Sequence, residues 1–288
     1  MSEHAPLASR LLDIDPDVFR AKFDAAPFRI RHGLATHPLF TLPRLVALAQ
    51  ALPPASLEYN GGDLPISADP RLTPRTGLSA YETIRRIETA NSWMALLNVE
   101  QDPEYGRLLR DCLAEVAVLS EPIRPGMTQP EGYIFVSSAR AITPYHMDPE
   151  HNLLLQIRGE KTLTVFDGHD RSLLTAEQVE DFYCGTPHRN LPFRDDWAPK
   201  GQAFVLQPGD GLHVPVTFPH YVQVSNDYTI SFSVTFRTPD LDRLGLVHRF
   251  NRKLRRVGIR PAEPGRSLWR DTVKSQTEHL IERARRTR

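Results

Sequence analysis

Between about residue 122 and residue 238 the chain changes texture, and this stretch limits the possible folds more than any other. Residues 132–137, 152–157, 162–166, 203–206, 213–216, 221–225 and 229–236 are short runs rich in Val, Ile, Phe and Thr. Gly, Pro, Asn and Asp separate them, which is the pattern of strands joined by tight turns. Seven such strands within about 105 residues argue for a jelly-roll or a related small barrel. Residues 167–200 are polar and rich in Asp, His, Arg and Pro, and read as a long insertion able to cover the barrel mouth.

Helical signals flank this region. Asp15 is placed to cap a helix over 16–23, with Pro16 at its first position, and a strand follows at 28–31. Thr41 is a candidate cap for a helix through Leu52, with Leu42, Leu45, Val46 and Ala49 on one face. Residues 60–63 read as a turn. Ser79 and Glu82 have the capping-box spacing for a helix to about residue 90. A buried strand is expected at 93–99, and an amphipathic helix at 104–118. After the strands, Pro239 and Asp240 open a helix with Leu244, Val247, Asn251, Leu254 and Val257 on one face, ended by Gly258. A second helix from about Ser267 carries Trp269, Val273, Leu280, Ile281 and Ala284 as an apolar stripe that must bury on the barrel or against another copy. The class is α+β: a double-stranded β-helix (jelly-roll, cupin-like) core in residues 1–239, with N-terminal flanking helices, and a C-terminal helical extension over 240–288.

Charge and cysteine content narrow the setting. The 288 residues hold 35 Lys and Arg against 35 Asp and Glu, so total charge points to neither nucleic acid nor a membrane as partner. The distribution is uneven, since 240–288 alone has 14 basic against 6 acidic residues, read as Arg-rich solvated helix faces, with contact to an acidic partner or nucleic acid as the alternative. Cys112 and Cys184 form no CxxC pair or disulfide framework. The first residues lack the basic and apolar regions of a secretory leader, and no run approaches the roughly 18 apolar residues of a membrane span. A cytoplasmic protein is expected.

The chemistry concentrates in two segments. Residues i and i+2 of a strand point the same way, so His146 and Asp148 can face one point inside a barrel. A third ligand must come from a neighbouring strand, where both His213 and His220 are available. Two histidines and one carboxylate hold Fe(II) on three adjacent positions and leave the others open for oxygen and a co-substrate. Lys161 alternates with Leu163 and Val165 on an inward face, and a lysine among buried apolar residues needs an anion. A dicarboxylate co-substrate supplies one, and the Thr143 hydroxyl is placed to share it. The competing reading is a non-catalytic cupin-like sensor or scaffold for a metal or small acid. A cupin isomerase or a dioxygenase that does not use 2-oxoglutarate has no need of Lys161.

These residues carry a resemblance. Thr143, His146, Asp148, Asn152, Gln156-Ile157, Arg158-Gly159 and Lys161, followed by Pro208-Gly209-Asp210, Val214-Pro215 and His220, are spaced as in the Jumonji C / cupin-like 2-oxoglutarate oxygenases. In detail the pattern is similar to the asparaginyl hydroxylase acting on hypoxia-inducible factor. The resemblance implies Fe(II) held by His146, Asp148 and His220, with His213 outside the ligand set. It implies 2-oxoglutarate as co-substrate near Lys161, Thr143 and Asn152. Tyr133 is the candidate for the family's co-substrate tyrosine, and Thr235 stands where that hydroxylase has Asn. Arg237 replaces an aromatic residue. The implied activity is hydroxylation of a protein side chain, or demethylation by the same chemistry, with decarboxylation of 2-oxoglutarate to succinate. The prime substrate is expected to be protein, and the C-terminal helices are expected to form a homodimer.

Overall fold

The computed structural model describes residues 10–69, 73–185 and 189–286, so the expectation about the first residues lies outside it. The N-terminal flank comprises β1 (Leu12–Asp13), α1 (Pro16–Lys22), β2 (Phe28–His32), α2 (Leu42–Ala51), β3 (Leu57–Gly61), α3 (Ala80–Arg85), β4 (Ser92–Leu96) and α4 (Pro103–Ser120). α1 begins where expected because the Asp15 carboxylate accepts from the Asp17 and Val18 N–H groups. Both bonds of the capping box form at α3, although that helix stops at Arg85, short of residue 90. Thr41 precedes α2, but its hydroxyl donates to the Pro38 carbonyl instead of accepting from the helix. The expected turn at 60–63 is corrected: Asn60 and Gly61 belong to β3, paired with Trp93 and Ser92 of β4. β4 ends before residue 99 because Asn98 takes a left-handed φ of 53°.

The core follows with β5 (Thr128–Ser137), β6 (Ile142–His146), β7 (His151–Arg158), β8 (Lys161–Val165), α5 (Ala176–Tyr183), β9 (Gln202–Leu206), β10 (Asp210–Val214), β11 (His220–Val224) and β12 (Thr229–Arg237). Every pairing is antiparallel. One sheet runs β1-β2-β10-β7-β12-β5-β4-β3 and the other β6-β11-β8-β9. Of β5 to β12, β5, β7, β10 and β12 lie in the first sheet and β6, β8, β9 and β11 in the second, the two four-stranded layers of the jelly-roll expected. β6 is an eighth core strand, and it tolerates Pro144 because it lies at a sheet edge. β10 stops at Val214, since Pro215 has no N–H for the ladder.

β7 is buried on both faces and separates two environments. Leu153 and Leu155 face the helices, in a core with Phe19, Leu45, Leu108 and Cys112. Asn152 and Leu154 face the barrel interior, where Leu154 packs with Leu163, Phe204 and Val222. Each buried Leu or Phe side chain contributes about 1.5–3 kcal/mol.

The chain ends with α6 (Pro239–Arg256) and α7 (Leu268–Arg286). α6 buries Leu241, Val247, His248 and Asn251, while Val257 is exposed. α7 does not bury its apolar stripe on the barrel. Trp269, Val273 and Leu280 are 67%, 52% and 65% exposed, and Lys274, Ser275 and Glu278 turn inward instead. The cause is electrostatic: Lys253 pairs with Glu278 and Arg249 with Glu282, so the basic face of α6 selects the acidic face of α7.

Candidate metal centre

His146 ends β6 and His220 begins β11, and the two are register partners across the ladder. Their ring centroids lie 4.2 Å apart. Asp148 stands two residues beyond the end of β6, which corrects the expectation that strand alternation aims it. Its position comes from a backbone bond, Thr217 N–H to the Asp148 carbonyl at 2.9 Å, that ties its loop to the turn before His220. The potential ligand atoms of His146, Asp148 and His220 all lie within 4.8 Å of one another. Asp148 Oδ2 is 3.8 Å from His220 Nε2.

The histidine tautomers suit a metal. His146 Nδ1–H donates to the Pro144 carbonyl at 2.7 Å and His220 Nδ1–H to the Phe218 carbonyl at 2.9 Å. Each Nε2 lone pair is therefore free and oriented. Burial, reinforced by His220, lowers the His146 pKa to about 4, so it is neutral. Burial alone would raise the Asp148 carboxyl, but Arg189, His146 and His220 outweigh it and hold it well below the usual carboxylate range. Two neutral imidazoles and one carboxylate, aimed at one point, fit Fe(II).

His213 is brought elsewhere. It lies on the opposite face of β10, where its Nε2 donates to the Phe23 carbonyl at 2.8 Å among Phe19, Phe23 and Phe28. His151 joins that aromatic layer, stacked on Phe23.

The three ligands open into a cavity of about 560 Å³. Thr143, Tyr133, Asn152, Lys161 and Thr235 all line it. Lys161 is 3% exposed, and among the described residues no hydrogen bond or ion pair reaches its ammonium. Burial lowers its pKa to about 7. The β8–β11 register pairs Lys161 with Val224 and Val165 with His220, so the lysine and the metal centre are separated by four strand positions, about 13 Å. Thr143 lies between, opposite Val222. Asn152 accepts from Ser233 Oγ at 2.7 Å and so keeps its amide N–H groups for the cavity. Thr235 Oγ1 donates to the Glu131 carbonyl at 2.9 Å, and the Tyr133 hydroxyl donates to the Glu131 carboxylate.

Other residues complete the wall of this cavity. Arg189 and Asn190 enter from the 167–200 insertion, of which 186–188 lie outside the described residues. Glu150 is buried beside Arg189, and burial with the Asp148 charge raises its pKa to about 7. Glu58 and Trp93 also line the cavity. Asp167 and Arg171 stay in the surface loop, where Asp167 accepts from His169 N–H and Arg171 pairs with Glu263. Arg237 lines a separate, more open cavity of about 400 Å³ beside α6 and α7, paired with Asp242 at 2.9 Å.

Comparisons with known proteins agree with this architecture. Jumonji C domain-containing protein 5 of Drosophila melanogaster is 29% identical over 130 residues, covering 43% of this chain and 31% of that protein. Lysine-specific demethylase JMJ30 of Arabidopsis thaliana is 30% identical over 104 residues, covering 34% of this chain and 23% of that one. The chain thus matches about a quarter to a third of the length of these relatives. The X-ray structure of E. coli ycfD superposes with a TM-score of 0.51 at 17% identity, over 94% of this chain and 68% of that one, a likeness of fold. The family model for the cupin-like domain matches residues 79–242, more than half of the chain and all three candidate ligands, and the protein therefore belongs to the cupin-like domain family.

Proposed function

We propose that this protein is an Fe(II)- and 2-oxoglutarate-dependent oxygenase that hydroxylates a protein side chain. The observation that carries the reading is one cavity with a candidate metal-ligand triad at one end and, at the other, a buried lysine with no partner among the described residues. His146, Asp148 and His220 hold the metal. Lys161 and Thr143 receive the far carboxylate of the co-substrate through charge-assisted hydrogen bonds, and Asn152, Tyr133 and Thr235 shape the space around it. Bound Fe(II) supplies the oxygen activation: one oxygen atom enters a substrate C–H bond and the other enters succinate as CO2 leaves 2-oxoglutarate. The chain orients the substrate and excludes water. Relatives named as lysine-specific demethylases support a polypeptide substrate.

Protein reconstituted anaerobically with Fe(II), then given 2-oxoglutarate and air, is expected to form succinate that depends on iron and is lost in His146→Ala. Failure of the wild-type protein to bind either Fe(II) or 2-oxoglutarate overturns the reading.

The outward stripe of α7 supports a homodimer through the C-terminal helices, because exposed Trp269, Val273 and Leu280 gain by mutual burial. A monomeric mass by light scattering would exclude it. The unpaired Cys112 and Cys184 support a cytoplasmic setting. Recovery of a tagged chain from a secreted or membrane fraction would contradict that.

A further inference from the structure

The candidate ligand Asp148 divides its two oxygens between different partners. Oδ2 faces the histidines, 3.8 Å from His220 Nε2. Oδ1 accepts from the Arg189 guanidinium at 2.7 Å. The same Nη1 also donates to Glu150 Oε1 at 3.1 Å. The other oxygen of Glu150 is buried with no hydrogen-bond partner among the described residues, so one guanidinium serves both the half-buried Asp148 carboxylate and the buried Glu150.

The backbone around Arg189 is held to the strand that carries the metal ligand. Residues 189–191 lie antiparallel to 145–147: Met147 N–H donates to the Arg189 carbonyl at 3.4 Å and Leu191 N–H to the Tyr145 carbonyl at 2.8 Å. His146 and Asn190 form the bridge between these bonds. Leu191, Phe193 and Trp197 then pack on Tyr145, Phe166 and Tyr221, which anchors the downstream chain. The guanidinium is therefore delivered by a paired segment and not by a free loop.

We propose that Arg189 is a positioning residue that keeps Asp148 a one-oxygen ligand and so leaves a coordination position for the co-substrate. A carboxylate released from a hydrogen-bond partner can turn both oxygens toward a divalent ion. A chelating Asp148 would occupy a position that 2-oxoglutarate needs. Because Arg189 comes from the 167–200 insertion, the cover of the cavity and the geometry of the metal ligand form one mechanical unit. This inference rests on the functional reading above.

A positioning role and a merely structural one predict different patterns of binding. Removing a cation beside Asp148 makes the carboxylate more attractive to a divalent ion, so metal affinity is retained while co-substrate affinity falls. Loss of local structure lowers both. The test uses the full chain under anaerobic conditions with Co(II), whose d–d spectrum responds to coordination number, followed by titration with 2-oxoglutarate. Arg189→Met is expected to bind Co(II) within about threefold of wild type and to lose about 10–100-fold in 2-oxoglutarate affinity, about 1.4–2.8 kcal/mol. Arg189→Lys, which keeps one donor, is expected to recover part of that loss. If Arg189→Met does not fold, Arg189→Met with Glu150→Gln removes one of the two carboxylates left without a countercharge and allows the same comparison. Unchanged 2-oxoglutarate affinity, or a parallel loss of Co(II) and 2-oxoglutarate, overturns the proposal. A wild-type protein that binds Co(II) but not 2-oxoglutarate overturns the functional reading and this inference with it. The two failures are distinguished by whether the wild-type or the variant is at fault.

Discussion

Lys161 is the residue on which the co-substrate reading turns. A buried ammonium without a partner is unfavourable, and its pKa of about 7 expresses that cost. An anionic ligand reverses the balance by favouring the charged form. Lys161→Met is expected to weaken 2-oxoglutarate binding to the metal-loaded protein at least about thirtyfold, the lower range for truncating one member of a buried charge pair. Isothermal titration measures it directly, and an unchanged affinity would remove Lys161 from the site. A pH dependence follows from the same shift. Below about pH 7 the free protein already carries the charge, whereas above it a proton must be taken up on binding. Affinity should therefore fall as pH rises above 7, by up to about tenfold per unit. Lys161→Arg, charged throughout, should give a flat profile. Lys161 and His146 were legible in the sequence because alternation and spacing are local properties. Arg189 and the role of Glu150 were not, because nothing local sends residue 189 back to residue 148.

At the scale of elements, turns decide whether these side chains converge. Gly159 joins β7 to β8 with φ +67°, and a Cβ there would stand 2.4 Å from the Tyr228 carbonyl oxygen. Gly159→Ala is expected to cost about 2–4 kcal/mol, from left-handed strain together with a backbone clash. Chemical denaturation would show it, and a loss below about 0.5 kcal/mol would mean that the turn relaxes freely. The β6–β11 ladder places His146 against His220, while Asp148 depends on the contact of its carbonyl with Thr217 N–H. Strand alternation does not place Asp148, because β6 ends at His146. A loop and not a pleat aims that carboxylate.

For the whole molecule, buried neutral histidines make the fold sensitive to acid. Burial lowers the pKa of His213 and His248 to about 4 and that of His151 well below its ordinary value. Each binds a proton more weakly folded than unfolded, so its contribution to stability is complete above about pH 6.5 and is lost progressively toward pH 4. Urea midpoints measured from pH 7 to pH 4.5 are expected to fall, and less steeply in His213→Asn. Equal slopes would show that His213 does not titrate with unfolding. His213 also marks the division between sequence and structure. The strand texture, turn residues and caps determined the jelly-roll and most of its element limits, because period-two burial and turn chemistry are written in neighbouring residues. The candidate metal ligands His146, Asp148 and His220 were readable from spacing and resemblance together, and the structure brings their ligand atoms within 4.8 Å of one another. Only the tertiary structure turned His213 and His151 into an aromatic layer behind β7 and brought Arg189 against Asp148. It alone turned the acidic face of α7 inward, leaving Trp269 and Leu280 in solvent. Each of these outcomes depends on which distant charge or face a residue meets, and local sequence pattern does not encode that.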